Sequence, residues 1–205
     1  MTIFMDNQQQ EVADLIADIE RHTDAEFVAV LARRSDNYSY IPLLWSAVIA
    51  LLMPLLLLAL PFWLSTFDIA VAQLLVFLVL SLVFRIPAIS IRLIPRSVRF
   101  GRAANMARRQ FLENNLHHTR GETGVLLFIS EAEHYVEIIA DKGINALVEK
   151  HQWQQLVDDF VVAVKAGKTH SGLIACISGC GELLREKVPA TGDKNELPNR
   201  LVILP

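Results

Sequence analysis

The residues whose type and position could support chemistry are acids next to short apolar runs. Asp141 follows the run Tyr135–Ala140, which reads as a strand, and it precedes a helical segment. Ligands of α/β sheets commonly bind at strand ends, and an aspartate there can hold a divalent cation or a metal-bound phosphate. In the alternative interpretation, Asp141 caps the helix or forms a turn beside Gly143.

A second pair of acids opens the first apolar run of the chain. Glu26 lies at the start of residues 25–32, and Asp24 comes two positions earlier. With Asp141, these residues could form a paired-carboxylate site, in which Asp141 and Glu26 are the catalytic candidates. Asp141 and Asp24 are then the candidate ligands of a Ca²⁺ or Mg²⁺ ion. Acids at solvent-facing strand ends are also routine, so both interpretations stay open.

The other reactive residue types form no recognisable motif. His117 and His118 would point about 100° apart on a helix, and the other four histidines are scattered, so no zinc site is predicted. Cys176 and Cys180 are four positions apart on a predicted helix, a spacing that suits a disulfide poorly. We expect them to be free thiols that pack as small apolar groups.

The elements that position these acids lie on both sides of a long apolar insert. Apolar periodicity predicts helices with one buried face, and continuous β-branched runs predict buried strands. Leu112 is expected on the buried face of its helix. Strands flanked by amphipathic helices predict an α/β fold, a three-layer α/β/α sandwich. The predicted helices are residues 8–21, 98–118, 144–149, 152–166 and 171–187, and the predicted strands are residues 25–32, 125–129 and 135–140.

The insert is almost free of charge. Of 19 Lys+Arg and 22 Asp+Glu in the chain, only Asp68 lies between residues 41 and 84. Residues 41–63 and 66–85 are each long enough to cross roughly 30 Å of hydrocarbon at about 1.5 Å per residue. Asp68 marks the short polar link between them, so the pattern predicts a transmembrane helical hairpin. Pro54 is expected to kink the first span, and Pro61 to lie near the turn.

The arginines on both sides of the insert predict its orientation in the membrane. Seven arginines and no acid lie between residues 85 and 109, and Arg33 and Arg34 precede the first span. The positive-inside rule therefore predicts two spans in a bacterial-type inner (plasma) membrane, with both termini in the cytoplasm. The basic block lacks interleaved aromatic residues, which argues against a nucleic-acid partner and favours the lipid bilayer.

The predicted organisation is one domain with an insertion. Residues 1–40 and 95–190 form two parts of the α/β domain, residues 41–94 form the hairpin with an interfacial segment, and residues 191–205 form a C-terminal tail. Outside the insert about a quarter of the residues are charged, as in soluble domains, which excludes disorder and a polytopic transporter. The apolar residues 201–204 are expected to pair with a sheet edge or to bind a partner by β-augmentation.

Four stretches follow one another along the chain in a recognisable order. They are TDAEF (23–27), TGVLLFIS (123–130), VEIIADKGI (136–144) and DKNELPN (193–199). This series resembles the TPM domain, which occurs in bacterial membrane-associated proteins and in a thylakoid phosphatase. The last stretch is similar to the closing D-x-N-E-L-P-N motif of a membrane-embedded subgroup with a transmembrane hairpin insertion.

The resemblance implies an α/β/α sandwich more than a particular reaction. Some members are phosphatases or metal binders, and others are assembly, repair or channel-accessory factors. Many members have a glycine-rich loop where this chain has Asp141-Lys142-Gly143, so their metal geometry does not transfer directly. The expected function is interaction or assembly on the cytoplasmic face, with a protein partner or a homo-oligomer. A metal-assisted, acid-type phosphatase is the alternative.

Overall fold

The computed structural model describes residues 6–58, 65–192 and 201–204. They fall into two units, one made of residues up to 35 and from 101 onward, and the other of residues 36–100. The motif at 193–199 and Pro61 lie outside the described residues. In chain order the elements are α1 Asp6–Glu20, β1 Glu26–Ala32, α2 Tyr40–Leu58, α3 Thr66–Val83, α4 Pro87–Leu93, α5 Arg96–Glu113, a 3-10 turn Leu116–His118, β2 Gly124–Ser130, β3 Tyr135–Ala140, α6 Lys142–Asn145, α7 Lys150–Lys165, α8 Thr169–Lys187 and β4 Leu201–Leu204.

The first unit is built on a sheet with the strand order β3-β2-β1-β4. β1 runs parallel to β2, with Glu26 opposite Gly124 and Ala32 opposite Ser130, and it also runs parallel to β4. β3 is antiparallel to β2 and follows it in the chain, so the two strands form a β-hairpin. Residues 201–204 pair with β1 as an edge strand, as expected. All seven residues of β1 are buried, because the strand lies between two neighbours and six of its residues, Phe27–Ala32, are apolar.

Helices cover both faces of this sheet. Alternate strand residues point to opposite faces, so Phe27 and Leu127 pack with α1, α7 and α8 on one side. Val28 and Phe128 pack on the other side against α5 and the 3-10 turn. The three-layer α/β/α sandwich predicted from the sequence is therefore confirmed.

Two details of the helices differ from the prediction. Leu112 is 55% exposed, so its placement on the buried face was wrong. The buried stripe of α5 runs through Ala103, Ala107 and Phe111, and Leu112 lies about 100° around the helix from Phe111. The short helix expected at residues 144–149 instead forms at Lys142–Asn145, because Asp141 caps its start.

The second unit contains two helices, α2 and α3, that are long and apolar enough to cross a membrane. Pro54 lies inside α2, and no residue of α3 is buried. A capping box starts α3: the Ser65 N–H donates to Asp68 Oδ2 at 3.0 Å, and the Asp68 N–H donates to Ser65 Oγ at 3.2 Å. Asp68 therefore stabilises the first turn of α3.

Candidate functional site

Glu26 and Asp141 lie on the same side of the sheet, at the ends of its strands. Glu26 is opposite Gly124 at the start of β2, and Val125 is opposite Ala140, the last residue of β3. Asp141 therefore follows a strand, as predicted. Because β3 is antiparallel, however, this is the edge where the parallel strands β1 and β2 begin. Ligands of α/β sheets bind beyond the carboxyl ends of parallel strands, so the position of Asp141 does not by itself indicate a ligand site.

Asp141 acts as a helix cap. Its side chain accepts a hydrogen bond from the Lys142 N–H at 2.8 Å, at the start of α6. Its own N–H donates to the Gly124 carbonyl at 2.8 Å. The structural interpretation of this aspartate, an N-cap beside Gly143, is therefore confirmed.

Gly143 is needed for a close approach of two backbone segments. A β-carbon at this position would lie 2.2 Å from the Gly121 carbonyl oxygen. The Gly143 N–H donates to the Glu122 carbonyl at 3.0 Å, so the two segments are held together at this distance. The Asp-Lys-Gly sequence is thus explained by capping and packing.

Asp24 holds the segment that follows α8. Asp24 Oδ1 accepts the Thr191 N–H at 3.0 Å, and Asp24 Oδ2 accepts the Thr191 hydroxyl. The Asp24 N–H also donates to the Val188 carbonyl at 3.2 Å. Both carboxylate oxygens thus have partners within the fold, and Asp24 ties the end of α8 to the start of β1.

Glu20 lies beside Glu26 and was not among the candidate acids predicted from the sequence. Glu26 is 3% exposed, and Glu20 Oε1 accepts the N–H of Phe27 at 2.9 Å. β4 pairs with β1 only from Ala29 onward, so the Glu20 carboxyl satisfies a backbone donor that β4 does not reach. Burial raises the pKa of Glu20 from 4.5 to about 8; the hydrogen bond from Phe27 opposes the increase and the charge of Glu26 adds to it.

A second buried carboxyl group lies at the opposite edge, where β1 and β2 end. Glu133 is 1% exposed. Its Oε1 accepts the Ser35 N–H at 3.0 Å, and its Oε2 accepts the Ser130 hydroxyl. The Ser35 hydroxyl donates to Ser130 Oγ at 2.9 Å. This cluster of Ser35, Ser130 and Glu133 ties the chain that leaves β1 to the turn between β2 and β3.

The partly buried Glu20 and the buried Glu133 were not predicted from the sequence, for different reasons. Glu20 lies one helical turn after Ile16, within the apolar stripe of α1, and that position was the available signal. Glu133 belongs to a segment that reads as a polar turn. Its burial depends on Ser35, which is distant in sequence, so local pattern gives no sign of it.

Two other kinds of reactive group are clusters of metal-ligating side chains and free thiols. Within residues 6–58, 65–192 and 201–204, no group of three or more His, Cys, Asp and Glu side chains is arranged to hold a metal ion. Cys176 and Cys180 are free and buried, as expected. Their mutual hydrogen bond, together with burial, raises the pKa of the Cys180 thiol well above its usual range, so this thiol stays protonated and unreactive.

Comparison with known proteins supports the assignment of the fold. The chain resembles the BA42 protein of the psychrophilic bacterium Bizionia argentinensis, whose structure was determined by NMR. The two chains share 18% sequence identity with a TM-score of 0.61, over 98% of this chain and 95% of that one. No curated protein matches the sequence.

A family match covers the part of the domain that follows the apolar helices. The model of the TPM domain matches residues 91–183, which extend from α4 to α8 and include β2 and β3. The resemblance noted in the sequence is therefore confirmed over residues 91–183, which are similar to the TPM domain.

Proposed function

We propose that this protein is a membrane-anchored TPM module whose α/β domain works on the cytoplasmic face by binding another protein or further copies of itself. The proposal rests on the apolar, exposed surface of α2 and α3. Their length and composition suit a membrane span, and no residue of α3 is buried.

Among the described residues, most of the large apolar side chains that are exposed lie on these two helices. In α3 they include Phe67 at 76%, Leu82 at 63% and Leu74 at 58% exposure. Transfer of one such side chain out of water contributes about 1.5–3 kcal/mol. For the whole pair the gain is of the order of tens of kcal/mol, which hydrocarbon supplies and water does not. Exposed apolar side chains of α2 and α3 are Leu43, Leu44, Val48, Ile49, Leu51, Leu52, Leu55, Leu56, Phe67, Val71, Leu74, Leu75, Leu78, Val79, Leu82 and Val83.

Charges on both flanks support a cytoplasmic location for the α/β domain. Arg33 and Arg34 are exposed before α2, and Arg92 and Arg96 are exposed after α3. Two spans return the chain to the side on which it entered, and the positive-inside rule puts that side in the cytoplasm. Anionic headgroups then attract the arginines with about 1 kcal/mol each.

The contacts of the acidic residues favour interaction over catalysis. Asp141 caps α6, Asp24 holds Thr191, and Glu133 binds Ser35 and Ser130. A metal-assisted phosphatase needs carboxylates that converge on an ion. These carboxylates instead bind donors within the fold, so binding of a macromolecular partner is the better supported role.

Amine cross-linking on oriented membranes tests this proposal, because every lysine of the chain lies after residue 141. A membrane-impermeant amine cross-linker should trap the protein with a partner or with itself in inside-out vesicles. The same reagent should leave it unmodified in intact spheroplasts. Alkaline carbonate extraction of the same membranes should leave the protein in the pellet.

Two results would contradict the proposal. One is release of the protein by carbonate, since an anchored hairpin resists extraction. The other is a cross-linked sample that contains only monomer, although the lysines are modified. A vesicle marker of known orientation is the control for sidedness.

A further inference from the structure

Three side chains with a hydroxyl or carboxamide group lie beyond the first turns of α2 and α3, and two of them are satisfied by their own helix. The Ser46 hydroxyl donates to the Pro42 carbonyl at 2.9 Å. The Ser81 hydroxyl donates to the Leu78 carbonyl at 2.8 Å. The third, Gln73, makes no hydrogen bond with any residue in the parts of the chain that the structure describes.

The position of Gln73 along α3 decides whether water can reach its amide in a membrane. It is the eighth residue of α3, about 10 Å along the helix from Thr66 at about 1.5 Å per residue. If α3 crosses a bilayer, as we propose, this position lies well inside the hydrocarbon, where water does not reach the amide. A polar group there is strongly unfavourable unless another protein group pairs with it.

The amide of Gln73 lines a groove on the surface of the hairpin. The groove has a volume of about 480 Å³ and runs between α2 and α3. Small side chains line it at Ala47, Ala50 and Ala70, and Phe77 lies one turn beyond Gln73. Small residues let the backbone of a second helix approach closely, as in associating membrane helices.

We infer that two copies of the chain pair in the membrane through this groove, with the Gln73 amide of each hydrogen-bonded to the Gln73 amide of the other. A carboxamide donates through its NH₂ group and accepts through its oxygen, so it is complementary to itself. Copies inserted with the same topology carry Gln73 at the same depth. A two-fold axis along the membrane normal therefore brings the two amides together.

Association of the full-length protein in phosphatidylcholine vesicles tests the inference. Energy transfer between fluorescent proteins fused after Pro205 measures the dissociation constant at several protein-to-lipid ratios. Gln73→Leu should raise this constant about three- to thirtyfold, the range expected for one or two interhelical hydrogen bonds. Gln73→Asn retains the amide and should stay within about threefold of the wild type. Ser81→Ala is the matched control and should leave the constant unchanged, because Ser81 bonds within its own helix.

A second measurement locates the contact. Ala70→Cys, placed in a chain that carries Cys176→Ala and Cys180→Ala, should form an intermolecular disulfide on oxidation. Leu75→Cys in the same chain should not, because Leu75 is exposed and does not line the groove.

The inference rests on the proposed membrane insertion, and carbonate extraction separates the two. Inserted protein that stays monomeric, or Gln73→Leu that associates as tightly as the wild type, overturns the pairing and leaves the anchor intact. Protein that carbonate releases from the membrane overturns both.

Discussion

Replacement of Glu20 with glutamine should make the stability of the α/β domain less dependent on pH. Burial raises the pKa of this carboxyl group to about 8, from 4.5. Between these values the folded state keeps the proton and the unfolded state releases it, so stability falls as the pH rises through this window. Below pH 4.5 the Glu20 carboxyl is protonated in both states and does not lower the stability of the fold. Above about pH 8 the loss of stability is complete. Glutamine is neutral throughout and still offers an oxygen to the Phe27 N–H.

The size of the effect follows from the shift. One pKa unit corresponds to about 1.4 kcal/mol, so the interval between 4.5 and about 8 sets an upper value of about 5 kcal/mol. Glu20 is partly exposed, and water reduces the effective penalty, so we expect about 2–3 kcal/mol. For a domain of this size that corresponds to a rise in Tm of roughly 5–10 °C for Glu20→Gln above about pH 8.

Thermal unfolding of the detergent-solubilised full chain measures the effect, followed by near-ultraviolet circular dichroism. The wild type and Glu20→Gln should unfold at similar temperatures at about pH 5 and diverge by about pH 8.5, with the variant more stable. Asp14→Asn, at an exposed position of α1, is the matched control and should follow the wild type. If the curves of the wild type and Glu20→Gln stay parallel across this range, the account of Glu20 is wrong.

Other predictions concern close packing and the second buried carboxyl group. Gly143→Ala should lower the free energy of unfolding by at least about 2 kcal/mol, because its β-carbon would lie 2.2 Å from the Gly121 carbonyl oxygen. Gly101→Ala, with open space around its β-carbon, should instead stabilise α5 by up to about 1 kcal/mol. Urea titrations of both variants compare them directly, and equal effects would contradict the packing argument. Glu133→Ala leaves the buried Ser130 hydroxyl without its acceptor, so urea unfolding should show a loss of about 1–3 kcal/mol; an unchanged midpoint would show that the cluster does not stabilise the domain.

The helix and strand layers of the fold could be predicted because the patterns of apolar residues that indicate them are local in the sequence. Runs such as VLLFI have no polar position to expose, so they indicate buried strands, and stripes such as Val12, Ile16 and Ile19 indicate which face of a helix is covered. Leu112 was misplaced because it follows the true stripe residue Phe111 near the end of α5, where one position changes the direction by about 100°.

The environments of the acids could be predicted only in part. Asp141 was placed correctly after a strand, but its role depends on the Lys142 N–H, which local pattern leaves undecided between cap and ligand. The Asp24 contacts come from Thr191, and the Glu133 contacts include Ser35. Such partners are far apart in sequence and meet only when the sheet forms, so periodicity and spacing carry no information about them.

Cysteine labelling tests the central claim, that α2 and α3 cross the membrane as a hairpin with the α/β domain in the cytoplasm. The background chain carries Cys176→Ala and Cys180→Ala. Thr66→Cys places a thiol at the start of α3, and Lys150→Cys places one on the exposed start of α7. With a membrane-impermeant maleimide on intact spheroplasts, Thr66→Cys should be labelled, and Lys150→Cys should react only after permeabilisation. The reverse pattern, or equal labelling of both thiols in intact spheroplasts, would contradict the account.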